Sequence, residues 1–187
     1  MNIAHIEETS FIYGPGMRFV IWVQGCSIHC KGCWNREMWS FETKYEYSID
    51  ELVTKIRNTN TIEGVTILGG EPFDQYNECL QLVAQINKLD LSIILYTGYE
   101  IEELEETRKT DILKHVDILI SGRFIENLRT MRGGLVGSSN QQVHFLTEKY
   151  SSKDLADRNE SEISIDENGK ITIYGYETDD LLQCTGD

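Results

Sequence analysis

The 187-residue sequence lacks the features of several protein classes. It has only two prolines and is 40% hydrophobic, so its composition is not that of a disordered chain. No apolar stretch reaches the roughly 18 residues that a membrane-spanning helix needs, so we expect no membrane partner. The first residues, MNIAHIEETSFIYG, have neither a basic start nor an apolar core. We therefore expect no signal peptide and a cytoplasmic location.

Positive charge is also scarce. The chain has 17 lysines and arginines against 31 aspartates and glutamates, which gives a formal net charge of −14. Proteins that bind nucleic acid usually carry a basic face, so no nucleic-acid partner is expected. The length suits one domain with a sizeable core, and no repeat or linker interrupts it. We therefore predict a single domain over residues 1–187.

Cysteine is uncommon, but three of the five cysteines stand together in QGCSIHCKGCWN as Cys26, Cys30 and Cys33. An odd, clustered set fits a reducing compartment and a metal site better than a disulfide framework. Structural zinc needs four ligands, and neither Cys79 nor Cys184 is an obvious fourth. A cubane iron–sulfur cluster with three thiolates would leave one iron open for a small molecule. A zinc or iron–sulfur module without catalytic activity stays an alternative.

Short apolar segments alternate with helical patterns along the chain. Segments RFVIWVQ, GVTILGG, LSIILYTGY and VDILISGRF predict buried strands, and helical spacing follows Ser48 and Asp74. Ser48 and Glu51 predict a capping box, and Asp74 is a candidate cap for the next helix. This alternation predicts an α/β fold with a parallel sheet covered by helices, whose strand C-terminal ends bind ligands.

The length narrows the architecture further. A closed eight-fold barrel typically takes about 250 residues. We therefore expect a partial (β/α)6-like TIM-type barrel of about five or six units. The segment ISIDENGKITIYGY, around Asn168-Gly169, predicts a small C-terminal hairpin.

The segment GGEP, Gly69 to Pro72, ends the second of these strands. Gly69 and Gly70 let the backbone approach a ligand closely, and Glu71 supplies a carboxylate for an ammonium group. Pro72 favours an extended Glu71. Without the cysteines this motif would be interpreted as a tight turn. With them it is a candidate binding site.

The C-x3-C-x2-C spacing followed by GGEP resembles the radical S-adenosylmethionine superfamily. The resemblance implies a [4Fe-4S] cluster on Cys26, Cys30 and Cys33, with S-adenosylmethionine chelating the open iron through its amine and carboxylate. It implies that Gly69, Gly70 and Glu71 hold the amine. The reduced cluster would then cleave the cofactor to methionine and a 5′-deoxyadenosyl radical that abstracts hydrogen.

Four further segments, YGPGMRFVIWVQGC, CKGCWN, YTGY and VGSSNQQV, resemble activating enzymes of glycyl-radical proteins. They are most similar to the activase subgroup of anaerobic (class III) ribonucleotide reductase. This resemblance implies hydrogen abstraction from a glycine of a partner protein, and a flavodoxin- or ferredoxin-type electron donor.

The same resemblance assigns roles to other side chains. Trp34 and Asn35 would lie near the cluster or the adenine, and Thr97 would face the cavity. Arg123 would face the cofactor carboxylate, or else be an ordinary surface arginine. Ser138 and Asn140 would lie near the adenosine or the substrate, or else belong to a plain loop.

Three positions depart from the subgroup pattern. Ser121 stands where aspartate is common, and Val136 and Gln142 stand where arginine is frequent. Because of these departures, a radical enzyme that modifies a small molecule or a peptide natural product stays an alternative function. His29 could tune the cluster, and Cys79 is interpreted as a core residue.

Overall fold

A computed structural model describes residues 1–130, 134–155, 160–165, 169 and 171–175. The strands are β1 Asn2–Ser10, β2 Arg18–Val23, β3 Tyr45–Glu46, β4 Gly64–Gly69, β5 Ser92–Tyr96, β6 Ile118–Ser121, β7 Gln142–Phe145, β8 Ser161–Ile165 and β9 Ile171–Gly175. The α-helices are α1 Ile49–Asn58, α2 Tyr76–Asn87 and α3 Ile101–Glu106. No helix in the described residues is long and apolar enough to span a bilayer.

Seven strands form one sheet in the order β3-β1-β2-β4-β5-β6-β7. Strands β2, β4, β5 and β6 pair in parallel, whereas β1, β3 and β7 add antiparallel strands at the two sides. Strands β8 and β9 pair antiparallel in a separate two-stranded sheet. The predicted C-terminal hairpin is therefore present, although Asn168 at its turn lies outside the described residues.

The predicted mixed α/β class with parallel central strands is confirmed. The count of five or six units was too high, because four parallel strands occur in the described residues. The partial barrel is not confirmed and stays a prediction, since the strand order is that of an open sheet. Strand β1 was not predicted, because its sequence, NIAHIEETS, alternates only weakly.

The helices cover one face of the sheet. Side chains that point to this face pack with the helices in the main core, including Ile21, Ile67 and Leu95. Alternate residues point to the opposite face, where Val20 and Ile94 belong to smaller clusters. Helix α1 begins with the predicted capping box of Ser48 and Glu51. The face without helices is therefore the one available for a site.

Buried Arg18 fastens the N-terminal ends of the parallel strands. Its guanidinium donates to Thr66 Oγ1 at 3.2 Å, to the Val65 carbonyl at 2.7 Å and to Ser92 Oγ at 2.5 Å. Tyr150 donates to the same serine oxygen at 2.8 Å. A buried charge needs such a set of partners. These bonds therefore fix the N-terminal ends of the parallel strands, and ligands are expected at the C-terminal ends.

Candidate active site

A cavity of about 1090 Å³ lies on the face of the sheet that the described α-helices leave uncovered, and it includes the C-terminal ends of the parallel strands. It brings together most of the residues that the sequence predicts as site residues. Those that line it are Cys26, Cys30, Cys33, Trp34, Asn35, Gly69, Gly70, Glu71 and Thr97. The cysteine loop and the GGEP segment, far apart in sequence, thus face one space.

The cysteine loop follows β2 through a tight backbone path. Gly25 has a φ of +96°, and His29 adopts the left-handed region with a φ of 53°. The His29 ring stacks on Trp39, with ring centroids 4.7 Å apart. A left-handed non-glycine residue is uncommon and needs support from its surroundings, which this stack supplies. His29 therefore shapes the loop between Cys26 and Cys30.

Asp74 anchors the start of the loop. Its carboxylate accepts from the Ser27 backbone N–H at 2.6 Å and from Ser27 Oγ at 2.9 Å. The expectation that Asp74 caps the following helix was wrong, because Gln75 occupies the cap position. Sequence reasoning missed this anchor because the partner lies 47 residues away.

Backbone N–H groups surround the cysteine sulfurs. Burial raises the pKa of the Cys26 thiol, and hydrogen bonds from the His29 and Ile28 N–H groups partly offset this. Burial also raises the pKa of Cys30, against the effect of the Phe124 N–H. Cys33 Sγ accepts from the Asn35 N–H at 3.4 Å. These donors would stabilise thiolates once a metal centre binds them.

The donor set suits an iron–sulfur cluster better than a single ion. All three cysteines are free thiols that line one cavity. Within the described ranges, no group of three His, Cys, Asp or Glu side chains is placed to hold one metal ion. A structural zinc site would need four such groups around one point. Three thiols facing one cavity suit the larger cubane centre, which takes cysteine thiolates.

The double glycine permits close packing between β4 and the start of the cysteine loop. Gly69 has a φ of +111°, and a Cβ there would lie 2.6 Å from the Val23 nitrogen. A Cβ on Gly70 would lie 2.1 Å from the Gly25 carbonyl oxygen. The N–H of Glu71 donates to the same oxygen at 2.8 Å. Because the two glycines have no side chain, the GGEP segment can pack directly on the backbone that leads to Cys26.

Glu71 joins the ends of β4 and β5. One carboxylate oxygen accepts from the Phe73 N–H and from Thr97 Oγ1, both at 2.9 Å, and the other accepts from the Gly98 N–H at 2.8 Å. Burial raises the pKa of Glu71 to about 7, although all three hydrogen bonds favour the ionised form. A buried carboxylate beside a cavity is suited to pairing with a cation.

We expect the stability of the cofactor-free chain to fall as the pH rises from 4.5 to about 7. Over this range folded Glu71 keeps a proton that the unfolded chain has lost, since the pKa is raised from 4.5 to about 7. At about 1.4 kcal/mol per pKa unit, the loss is on the order of 3 kcal/mol. Urea unfolding of wild type and Glu71→Gln at several pH values measures it. The variant should lack this slope, and equal slopes in the two proteins would contradict the assignment.

Three predicted residues do not line the cavity. Arg123 forms a two-point ion pair with Glu103, at 2.6 and 2.8 Å, which lowers the pKa of that carboxyl to about 2. Ser138 is buried, and its Oγ accepts from the Ile125 N–H at 3.1 Å. Asn140 Nδ2 donates to the Arg123 carbonyl at 2.8 Å. All three side chains are thus hydrogen-bonded to other groups of the protein and do not face the cavity.

The departures from the subgroup pattern lie at the last two strands of the sheet. Ser121 is buried at the end of β6, with its Oγ 2.9 Å from His144 Nε2. Val136 is buried, and Gln142 is exposed at the start of β7. Cys79 is fully buried on α2, where burial strongly raises its thiol pKa. Cys184 lies outside the described residues.

No motif in the sequence indicated the surroundings of Trp34. Its ring lies 5.8 Å from the Phe124 ring, and the Arg129 guanidinium stacks 4.7 Å from its centroid. Phe124 and Arg129 both line the cavity. Arg129 belongs to no motif, and Phe124 ends the segment VDILISGRF without a predicted role, so only the fold identifies both as neighbours of Trp34.

Comparison with known proteins gives consistent matches. The family model described as "4Fe-4S single cluster domain" matches residues 12–144. An anaerobic ribonucleoside-triphosphate reductase-activating protein of Vibrio cholerae is 31% identical over 79% of this chain and 99% of its own length. Proteins with the same name from Enterobacteria phage T4 and Escherichia coli K12 are 33% and 28% identical, over 76% and 78% of this chain and 93% and 99% of theirs.

Among solved structures, QueE from Escherichia coli matches with a TM-score of 0.36 and 21% identity. The match covers 52% of this chain and 51% of that chain. A similarity this low bears on neither fold nor function.

Proposed function

Because the chain belongs to the family of anaerobic ribonucleoside-triphosphate reductase-activating proteins, which are radical S-adenosylmethionine enzymes with a [4Fe-4S] cluster, we propose that it generates a glycyl radical on a partner reductase. The observation that carries the proposal is the convergence of three cysteines, Gly70 and Glu71 on one cavity. Neither motif alone would define this chemistry, but their meeting at the strand ends supports a site in which the two act together.

The cysteines and the GGEP segment have separate tasks in this proposal. Cys26, Cys30 and Cys33 would hold the cluster, which when bound supplies the electron that cleaves S-adenosylmethionine. Glu71 would pair with the methionine amine, with its carboxylate oriented by Thr97 and the Gly98 N–H. An ammonium beside Glu71 would favour its ionised form and lower its raised pKa.

The aromatic and polar side chains beside the cysteines would hold the rest of the cofactor. Trp34 and Asn35 line the cavity directly after Cys33, where they can contact the adenine. Arg123 could reach the cofactor carboxylate only by leaving Glu103, with which it forms a two-point ion pair. Its role as a cofactor ligand is therefore the least supported of the predicted roles.

The size of the cavity supports a partner protein as the substrate. Ligand pockets usually measure about 300–1,000 Å³, and this cavity of about 1090 Å³ is as large as the largest of them. Gly14 and Gly16 line it, as does Thr172 of the hairpin, well away from the cysteines. In this proposal the cluster, S-adenosylmethionine and a short peptide segment share this space. We propose that a glycine-bearing loop of the reductase enters here.

The proposed chemistry also suggests where the protein works and what reduces its cluster. A single domain over residues 1–187, in the cytoplasm, would work in a reducing environment that preserves free thiols and the cluster. The electron would come from a flavodoxin- or ferredoxin-type donor.

Isotope transfer tests the proposed function directly. The reduced, reconstituted chain is incubated with S-adenosylmethionine and an anaerobic reductase that carries deuterium at the α-carbon of glycine. We expect deuterium in 5′-deoxyadenosine, because the hydrogen leaves that α-carbon. With unlabelled reductase we expect a doublet radical signal, because the α-hydrogen that remains on the glycyl radical splits the signal. If deuterium came instead from a labelled small molecule or short peptide, with no radical on the reductase, the activase proposal would be wrong. The chain would then be a radical enzyme that modifies a small molecule or a peptide natural product.

A further inference from the structure

The short segment at residues 37–41 lies alongside the start of the cysteine loop, and we name it the brace. The Gly25 N–H donates to the Met38 carbonyl at 2.8 Å. The Cys26 N–H donates to the Trp39 carbonyl at 3.2 Å. The brace is thus hydrogen-bonded to the first cysteine of the motif and to the residue before it.

The brace is in turn fixed to the sheet. Met38 is buried in a cluster with Val20 and Trp22 of β2, on the face without helices. Gln24, directly after β2, donates from Nε2 to the Ser40 carbonyl at 2.6 Å. These contacts involve none of the cysteines, so the brace has an anchor of its own beside the loop.

Trp39 contacts the loop at two points, one near each of the first two cysteines. Its carbonyl accepts from the Cys26 N–H, and its ring stacks on the His29 ring with 4.7 Å between centroids and 26° between planes. His29 directly precedes Cys30. One residue of the brace therefore holds the chain beside both cysteines.

The stack falls on a residue whose backbone conformation needs support. His29 has a φ of 53°, in the left-handed region that is unfavourable for a residue with a Cβ. The favourable energy of an aromatic stack is similar in size to this cost. Without the Trp39 ring, we therefore expect the chain between Cys26 and Cys30 to leave this conformation more often.

We propose that Trp39 is a positioning residue, which keeps His29 left-handed and so fixes Cys26 relative to Cys30 before a cluster binds. The proposal rests on the proposed function, because this placement matters only if the cysteines hold a cluster. Trp39 acts through the loop and supplies no ligand. A loop that is already ordered loses less entropy on binding, so the bound cluster should be held more tightly.

The indole of Trp39 allows the ring to be tested apart from its N–H. Nε1 is buried and has no hydrogen-bond partner in the part of the chain that the structure describes. Phenylalanine would keep an aromatic face for His29 and remove a donor that bonds to no described group. Because Trp39 also lines the cavity, the same variant would reveal a direct bond from Nε1 to the cluster or the cofactor.

Trp39→Leu removes the aromatic ring and tests the proposal in two forms of the full chain. In the cluster-free protein, amide hydrogen exchange across residues 26–33 should be about fivefold faster, because the loop opens more readily without the stack. In the reconstituted protein, an excess of chelator should remove iron faster by a similar factor. Trp39→Phe should stay within about twofold of wild type in both rates, because the stack remains.

Two variants of His29 separate loss of the stack from the strain of the backbone. His29→Ala loses the ring but keeps a Cβ in the left-handed region, so both rates should rise as in Trp39→Leu. His29→Gly adopts this φ without support, so adding Trp39→Leu to it should change both rates by less than about twofold. If Trp39→Leu does not fold, alanine and glycine at the exposed His29 still test the mechanism, and glycine should give the slower rates.

Three results would overturn the proposal. Wild-type rates in Trp39→Leu would show that the stack does not hold the loop. An equal effect of Trp39→Leu with histidine or glycine at position 29 would show that Trp39 does not act on this backbone. Rapid iron release from Trp39→Phe with wild-type exchange would make Nε1 a direct contact of the cluster.

Failure of the proposed function would look different. A wild-type protein that binds no iron after reconstitution would contradict that function. Exchange is measured without the cluster, so the rates in Trp39→Leu and in the His29 variants would still decide whether Trp39 positions the loop.

Discussion

Alanine in place of Cys26, Cys30 or Cys33 is expected to abolish cluster binding. After anaerobic reconstitution, wild type should hold about four irons and four sulfides per chain, and each variant should hold almost none. The reason is that three thiolates already leave one iron without a protein ligand, so a second open iron would not be retained. Iron and sulfide analysis with visible absorption measures this, and cleavage of S-adenosylmethionine should be lost in parallel.

Cys79→Ala is the matched control for these variants. Cys79 is fully buried on α2 among core residues, and the described structure gives it no place on the cavity. Its replacement should cost about 1 kcal/mol of stability through the small cavity that is created, and leave iron content unchanged. Loss of iron in Cys79→Ala or Cys184→Ala would require a different ligand set. A colourless wild-type protein with one tightly bound zinc would rule out the cluster.

Gly70→Ala is expected to be nearly as damaging, although it removes no ligand. The new methyl carbon would lie 2.1 Å from the Gly25 carbonyl oxygen, which belongs to the backbone and cannot rotate away. Either the cysteine loop or the end of β4 must move. Overpacking of this kind costs about 1–3 kcal/mol or more, and the displaced loop should bind less iron. Chemical unfolding and iron content of the same preparations measure the two effects.

Gly137→Ala provides the comparison, because Gly137 also lines the cavity. A Cβ there would meet Phe124 at 3.4 Å and Gln141 at 3.5 Å, which are ordinary contacts. Its stability should change by less than about 1 kcal/mol, with normal iron content. Wild-type stability and iron content in Gly70→Ala would show that the close approach to Gly25 does not place the loop.

Local patterns were sufficient to predict the central strands and the meeting of the two motifs. The segments around Ile21, Ile67 and Leu95 are almost continuously apolar, with Thr66 as an exception, as is usual for parallel strands buried on both faces. Because the cysteines and GGEP each follow such a strand, the parallel arrangement alone places them at one edge. Strand β1 alternates only weakly, and its pairing with β2 depends on tertiary contact.

The finer arrangement of the site could not be derived from the sequence, because it depends on contacts between distant residues. Glu71 accepts a hydrogen bond from Thr97 Oγ1, which lies 26 residues away in the sequence, and Asp74 accepts one from the Ser27 N–H, 47 residues away. Ser138 has the composition of a loop residue, and only the fold shows that its hydroxyl is directed at Ile125. A motif therefore identifies which residues matter at this site more reliably than it identifies what each one touches.

The one-sided helix layer has a consequence for how such an enzyme can diverge or be redesigned. On each parallel strand, neighbouring residues serve different purposes: Ile21 and Ile67 pack against helices, whereas Trp22 and Leu68 line the cavity. Since side chains alternate along a strand, a substitution at Trp22, Leu68 or Tyr96 can reshape the substrate space without disturbing the helical core. Positions that line the cavity and positions that pack against the helices thus alternate along the same strands.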